Sequence, residues 1–377
     1  VDFFASQDLA RRNTRKLIGL LALTVVVLTL AVYGVAAVAF MAASTYQTKS
    51  EAAATVDVSS WLFSYESLVL LAAVAVLVTG VVSVSSLMKI SELNQGGAGV
   101  AEQLGGRRLQ PGTTDLAERR ILNVVEEMAL ASGVPVPPVY LLDNEQSINA
   151  FAAGNSIDDA VIGVNKGTIQ KLNREELQGV IAHEFSHILN GDMRMSLRMV
   201  GLLYGIQAIA LIGLTLFRLT AYAGHSRSSN NKNGNIAIVL MILGGGLFLV
   251  GSIGLFFARL IKASISRQRE FLADASAVQF TRIPTGIAGA LKMIGNDNRT
   301  SKMESPNAES ISHMFFANMY GSLKQNLLAT HPPLVSRIQR IEPDFNGQFE
   351  SYLAQRSTAS VVAAEERSTT KSKDDDN

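Results

Sequence analysis

The sequence predicts a mainly α-helical integral membrane protein that also contains a small β-sheet. Two observations point that way. Hydrophobic residues make up 48% of the 377 and charged residues only 17%, too apolar a balance for an ordinary soluble chain of this size. Four long apolar runs interrupt the chain, and amphipathic patterns and short apolar segments bounded by turn residues lie between them.

The first sixteen residues read as a polar, basic arm ending in Arg11, Arg12, Arg15 and Lys16. Leu17 to about Ala43 carries no charge and is long enough to cross a bilayer with some tilt. A cleavable signal peptide would have a shorter apolar region, and here a second span follows. Residues 44–66 are a short polar loop with Lys49, Glu51, Asp57 and Glu66, and a second apolar run extends from about Leu68 to Met88. Residues 17–90 are therefore expected to be two transmembrane helices. The glycine-rich, polar stretch 91–115 reads as a linker.

A domain is expected over residues 116–350. Asp115 starts an amphipathic helix with Glu118 as its capping-box partner, and the helix stops near Gly133. Val139–Leu142, Ile148–Ala153 and Ala160–Asn165 have the look of a small sheet. Two more apolar runs, Met199–Phe217 and Ile236–Leu260, flank a polar loop containing His225. They suit either a transmembrane hairpin or an apolar pair packed partly into the domain. Residues 261–342 have a helical pattern broken at Pro284, Pro306 and Pro332. Residues 351–377, rich in Ser, Thr and charge from Ser357 on, are expected to be disordered. The chain opens on Val1 rather than Met, as a processed or excised chain would.

A net charge of +1 gives no electrostatic case for nucleic acid. With no cysteine, disulfides are excluded and any metal site must use His, Asp and Glu. Lys and Arg collect in the amino-terminal arm and after the second span (Arg107, Arg108, Arg119, Arg120), while the first loop holds one Lys. That bias sets the arm and the domain on the cytoplasmic side.

The most informative segment is Asn173-Arg-Glu-Glu-Leu-Gln-Gly-Val-Ile-Ala-His-Glu-Phe-Ser-His187. Asn173 is a good helix cap and Glu176 its capping-box partner, so a helix runs through the motif. His183 and His187, one turn apart, share a face and can hold one tetrahedral zinc ion, while Glu184 reaches a metal-bound water without being a ligand. With five His in the chain, a chance match is rare. Catalysis needs a third ligand and an open position. Arg267-Gln-Arg-Glu-Phe-Leu-Ala-Asp274 offers Glu270 as that ligand, with Asp274 one turn on to orient an imidazole. Alone, this second segment would read as a solvated salt-bridge helix with Arg267 and Arg269. Asp192, close behind the motif, reads as serving the helix end at Asn190-Gly191, and His225 and His313 match no ligand position.

In this combination and order, the residues resemble the HtpX-type membrane zinc metallopeptidases, gluzincin-like enzymes related to the CAAX prenyl endopeptidases. The resemblance runs over about Leu17 to Glu342 and implies a zincin-like metallopeptidase domain with up to four transmembrane helices. Asn149-Ala-Phe-Ala-Ala-Gly154 looks like the family's active-site edge strand, and Thr330-His-Pro-Pro-Leu-Val-Ser-Arg337 like the segment that follows its third ligand. By that resemblance, Asn149 and the backbone of Ala150, Phe151 and Ala152 bind an extended substrate, His331 donates a hydrogen bond to the transition state, and Arg337 is a supporting cation. Without it, 149–154 is an ordinary strand and turn, and His331 a loop residue before a Pro-Pro helix start. The resemblance further implies one zinc ion per chain, and polypeptide substrates drawn from misfolded or damaged membrane proteins. It implies a multi-pass place in a bacterial cytoplasmic (inner) membrane, in a quality-control role. The rival from another class is a catalytically silent membrane scaffold that keeps zinc for stability; a structural zinc site would normally be closed by four protein ligands, and three are found. A transporter is disfavoured because the apolar runs hold almost no charge to line a pathway.

Overall fold

The computed structural model describes residues 3–47, 58–225, 231–296, 316, 328–354 and 356. The chain divides into two compact units, one formed by Val1–Thr14, Gln95–Arg194 and Ser266–Asn377, the other by Arg15–Asn94 and Met195–Ile265.

The second unit is built from α1 (Phe3–Gln47) beyond Thr14, the short α2 (Val58–Leu62), α3 (Tyr65–Leu93), α8 (Asp192–His225) from Met195, and α9 (Asn231–Thr281) up to Ile265. Four helices are long and apolar enough to cross a membrane, with spans of 38, 29, 31 and 46 residues and mean hydropathy of 2.0–2.6. At 1.5 Å per residue even the shortest exceeds the ~30 Å of a hydrocarbon core. The chain is thus a multi-pass membrane protein. Its interior packs Leu21, Leu28, Val74, Val78, Ile206 and Ala258, while Leu23, Val27, Val76 and Leu77 face outward. An apolar exterior suits lipid, where association rests on close backbone approach at small residues. A Cβ on Gly213 would sit 2.3 Å from Phe248 N, and one on Gly251 2.7 Å from Ala210 N. These contacts fix α8 and α9 as an antiparallel pair.

In the first unit a four-stranded sheet runs in the order β1-β2-β4-β3, with β1 Arg107–Arg108, β2 Val139–Leu142, β3 Ala150–Ala153 and β4 Val161–Asn165. β2 is parallel to β4, and β1 and β3 pair antiparallel with β2 and β4. Every residue of β2, β3 and β4 is buried, which explains runs of apolar residues rather than alternation. Around the sheet lie α4 (Gly96–Gln103), α5 (Leu116–Ser132), α6 (Lys166–Lys171), α7 (Arg174–Leu189), α10 (Pro284–Asn296) and α11 (Leu334–Ile341). The core joins Ile121, Val125, Ile162, Val180, Phe185 and Leu291.

Helix ends follow the capping chemistry read from the sequence, with one exception. Asp115 accepts from the amides of Ala117 and Glu118, and Gly133 closes α5 at φ 72°. The Glu118 carboxylate turns instead to Thr113 and Arg107, leaving that capping box half-formed. On α7 the box is complete: Asn173 accepts from the Glu176 amide and Glu176 from the Asn173 amide.

Three expected regions look different in the structure. The basic arm forms the first turns of α1; Gln7 bonds Ser276 and Gln279, and Asn13 bonds Gln268. The linker contains α4 and β1. Its glycines serve packing, since a Cβ on Gly97 would lie 2.5 Å from Asp159 O and one on Gly106 2.8 Å from Ala101 O. Residues 351–354 and 356 are helical, not disordered, because Tyr352 and Arg356 both reach the buried carboxylate of Glu176. Residues 357–377 lie outside the described residues, as do Pro306 and His313.

Candidate metal centre and active site

Two helices of the first unit supply the polar side chains of the site. Helix α7 is buried along almost its whole length from Glu176, with α10 so close that a Cβ on Gly179 would meet Ile287 N at 2.5 Å. His183 and Glu184 are fully buried, and His187, one turn after His183, keeps 15% side-chain exposure. Near its end, α9 contributes Glu270 and Asp274, again one turn apart and at most 5% exposed.

Each imidazole is held from behind by a carboxylate. His183 Nδ1 lies 3.0 Å from Asp274 Oδ1, and His187 Nδ1 lies 2.8 Å from Asp192 Oδ2. Donation from Nδ1 turns the Nε2 atoms toward each other at 3.1 Å. Glu270 completes the group, 3.8 Å from one Nε2 and 3.7 Å from the other. A tetrahedral zinc ion with bonds of about 2.0–2.1 Å separates two of its nitrogen ligands by about 3.3 Å. Two facing Nε2 atoms repel unless a cation lies between them, and a divalent ion serves all three donors at once. Among the described residues, His183, His187 and Glu270 form the group able to hold one metal ion, their donor atoms within 4.8 Å of one another. The donors therefore fit the ion.

Electrostatics agree with a cation-seeking site. Burial drives His183 down to about 4, the bond to Asp274 only partly offsetting it. Burial opposes charge on His187 too, but Asp192, Glu270 and Glu184 together outweigh it and hold the ring up to about 9. Glu184 is pushed by burial up to about 8 against the pull of His187. Its carboxyl oxygens make no hydrogen bond of good geometry, although the Ala152 N–H faces them. A carboxyl raised in this way and left unengaged suits proton transfer near neutral pH.

Arg337, buried to 1%, neutralises the second layer. It donates to both oxygens of Asp274 at 2.7 and 2.8 Å, approaches Glu270 Oε2 at 3.1 Å, and donates to Phe316 O at 3.0 Å. His331 lies against the same Glu270 oxygen, with Nδ1 3.1 Å away. All seven residues expected around the ion are thus brought together.

The expected substrate strand, β3, is the sheet edge beside α7. Asn165 N–H donates to Asn149 O, so by antiparallel alternation the amides of 151 and 153 face β4 while those of 150 and 152 face the free edge. That edge is buried. Ala150 N–H donates to the Asn149 side chain and Ala150 O accepts from Phe316 N–H at 2.8 Å. Asn149 itself is 0% exposed.

Two residues escaped sequence reasoning. Asp192 orients His187 and is itself held by Arg269 at 2.9 Å; a carboxylate just past the Asn190-Gly191 helix end was the available signal. Phe316 packs its ring edge-on against His183 at 4.7 Å and under the Arg337 guanidinium at 4.8 Å, and nothing in the local pattern announced it.

Comparison with known proteins is consistent with this geometry. Residues 115–343 match the model of peptidase family M48. The chain is 41% identical over 220 residues to a "Protease HtpX homolog" of Caldanaerobacter subterraneus subsp. tengcongensis, covering 58% of this chain and 70% of the relative. It is 37% identical over 233 residues to the same-named protein of Bacteroides fragilis, with 59% and 68% covered, and 37% identical over 221 residues to that of Streptococcus uberis, with 58% and 71% covered.

Proposed function

The chain belongs to peptidase family M48, and from that premise we propose that it is a zinc endopeptidase cutting polypeptides held extended along β3. The observation that carries this reading is the pair of Nε2 atoms facing each other at 3.1 Å beside Glu270, with the unengaged Glu184 carboxyl next to them. Zinc, when bound, supplies a Lewis acid that polarises the scissile carbonyl and acidifies water.

The remaining chemistry belongs to the side chains. Glu184 takes a proton from the attacking water at a carboxyl oxygen and passes it to the leaving nitrogen. Asp274 and Asp192 hold their imidazoles in the Nδ1–H tautomer, and Arg337 keeps Asp274 and Glu270 charged in a buried setting. We assign His331 Nε2, which has no partner among the described residues, to the developing oxyanion. The substrate backbone is assigned to the edge amides of Ala150 and Ala152, where its N–H would replace the Phe316 N–H at Ala150 O.

Membrane proteins are the proposed substrates, because a chain with four apolar spans meets them in the same bilayer, and misfolded or damaged ones expose extended segments. The distribution of Lys and Arg supports a site that faces the cytoplasm, and the bacterial relatives support a bacterial cell. The test compares wild type with Glu184→Gln, both zinc-loaded in detergent, by mass spectrometry of products from a mixed membrane-protein substrate. The variant should keep its zinc and yield no products; cleavage at the wild-type rate would remove Glu184 from the role of base.

A further inference from the structure

The membrane unit has an uneven charge distribution that the catalytic reading does not use. Residues 195–265 contain no Asp or Glu. Near one end of the unit stand Arg15 and Lys16 on α1, Arg198 on α8, and Arg259 and Lys262 on α9. None of the five has an ion-pair partner among the described residues; the nearby Glu92 is taken by Lys89 at 2.8 Å. Arg259 and Lys262 are three residues apart on one helix face, where like charges repel. Lys262 is also half-buried, so its ammonium is partly removed from water without a carboxylate to replace it.

The surrounding helices place this group at a bilayer boundary. α1 carries no charge from Leu17 to Ala43, and α9 none from Ile236 to Ala258, so the cations begin where each apolar stretch ends. α1 and α9 run antiparallel: Asn13 bonds Gln268, and Gly254 packs on Leu28. That register puts Lys16 and Lys262 within roughly one helical turn of each other along the axis. Long side chains at such a level reach the headgroup layer while their stems stay in the apolar region.

We infer that Arg259 and Lys262, supported by Arg15 and Lys16, bind the phosphate of an anionic glycerophospholipid. The phosphate relieves the repulsion between the two α9 cations and supplies the missing counter-ion for Lys262, and the acyl chains lie against the outward-facing apolar side chains of the unit. The inference rests on the membrane spans alone and is independent of the proposed hydrolysis.

Native mass spectrometry of the delipidated full chain in detergent tests it. The chain is titrated with phosphatidylglycerol and with phosphatidylcholine of the same acyl composition. Wild type should take up a first phosphatidylglycerol at concentrations where phosphatidylcholine does not bind. Arg259→Gln/Lys262→Gln should weaken that adduct roughly 30-fold, as loss of two headgroup cations implies. Arg218→Gln is the control. By the Gly213–Phe248 packing, Arg218 sits about 24 Å further along the bundle, and this variant should bind as wild type does. An unchanged thermal midpoint certifies that the double variant is folded. Three results would each overturn the inference: equal uptake of the two lipids by wild type, full retention by a folded double variant, or displacement of the lipid by millimolar inorganic phosphate.

Discussion

Replacing Arg337 with methionine tests the charge balance beneath the metal site. The guanidinium is 1% exposed and lies between Asp274 and Glu270, whose side chains are 4% and 6% exposed. Methionine keeps most of the volume but leaves two buried carboxylates without their shared cation. Breaking a buried pair by removing one partner costs about 3–5 kcal/mol, mostly from the uncompensated charge left behind. For a cooperative unit of this size each kcal/mol moves the midpoint by roughly 2–4 °C, giving a fall of about 6–20 °C. Thermal unfolding should be followed in detergent, once with chelator and once with saturating zinc. The deficit should be largest in chelator and shrink with zinc, because the metal then supplies Glu270 with a cation in place of the lost guanidinium. A variant midpoint within about 2 °C of wild type in chelator would refute the claim that Arg337 compensates these carboxylates.

Two further predictions concern residues outside the ligand set. Asp192→Ala should weaken zinc binding about 10–100-fold, measured by competition with a chromogenic chelator, because His187 loses the acceptor that orients it; unchanged affinity would make Asp192 a helix-end residue only. Hydrogen bonds from Thr113 and then Arg107 hold the Glu118 carboxyl below its usual range, and Arg107 does the same for Asp143. Depressed carboxyl values contribute stability that is present above the unfolded value near 4 and is lost as pH falls through the folded one. Arg107→Gln should therefore lower stability at pH 6 by less than about 1 kcal/mol, since the group is half-exposed, and the difference should shrink as pH falls below about 4. A deficit that does not shrink at all below about pH 4 would contradict the assignment.

What could be read from the sequence depended on whether partners lie within one helical turn. The pairs His183–His187 and Glu270–Asp274, and the capping box Asn173–Glu176, are three or four residues apart, and periodicity reveals such neighbours directly. The partner of His187 was harder, because the chain reverses at Gly191, φ 66°, before Asp192 returns to the imidazole. Glu176 was legible as a cap, but its contacts with Tyr352 and Arg356 cross more than 170 residues and have no local signature. Arg337 and His331 were reachable only through family resemblance, since neither belongs to a pattern with the ligands. Glycine misled in residues 91–115: a high glycine content read as looseness, whereas Gly97 and Gly106 are there because backbone atoms approach too closely for a side chain. The acceptance of the Phe316 amide at the β3 edge could not be anticipated from an isolated aromatic residue.

Zinc content per chain in the Glu270→Ala variant tests the metal centre most directly, with wild type and Glu184→Gln alongside. After dialysis against a moderate chelator, elemental analysis should find one zinc in wild type and in Glu184→Gln, and close to none in Glu270→Ala. One tightly held zinc in the folded Glu270→Ala chain would contradict the placing of this carboxylate with His183 and His187 around a single ion.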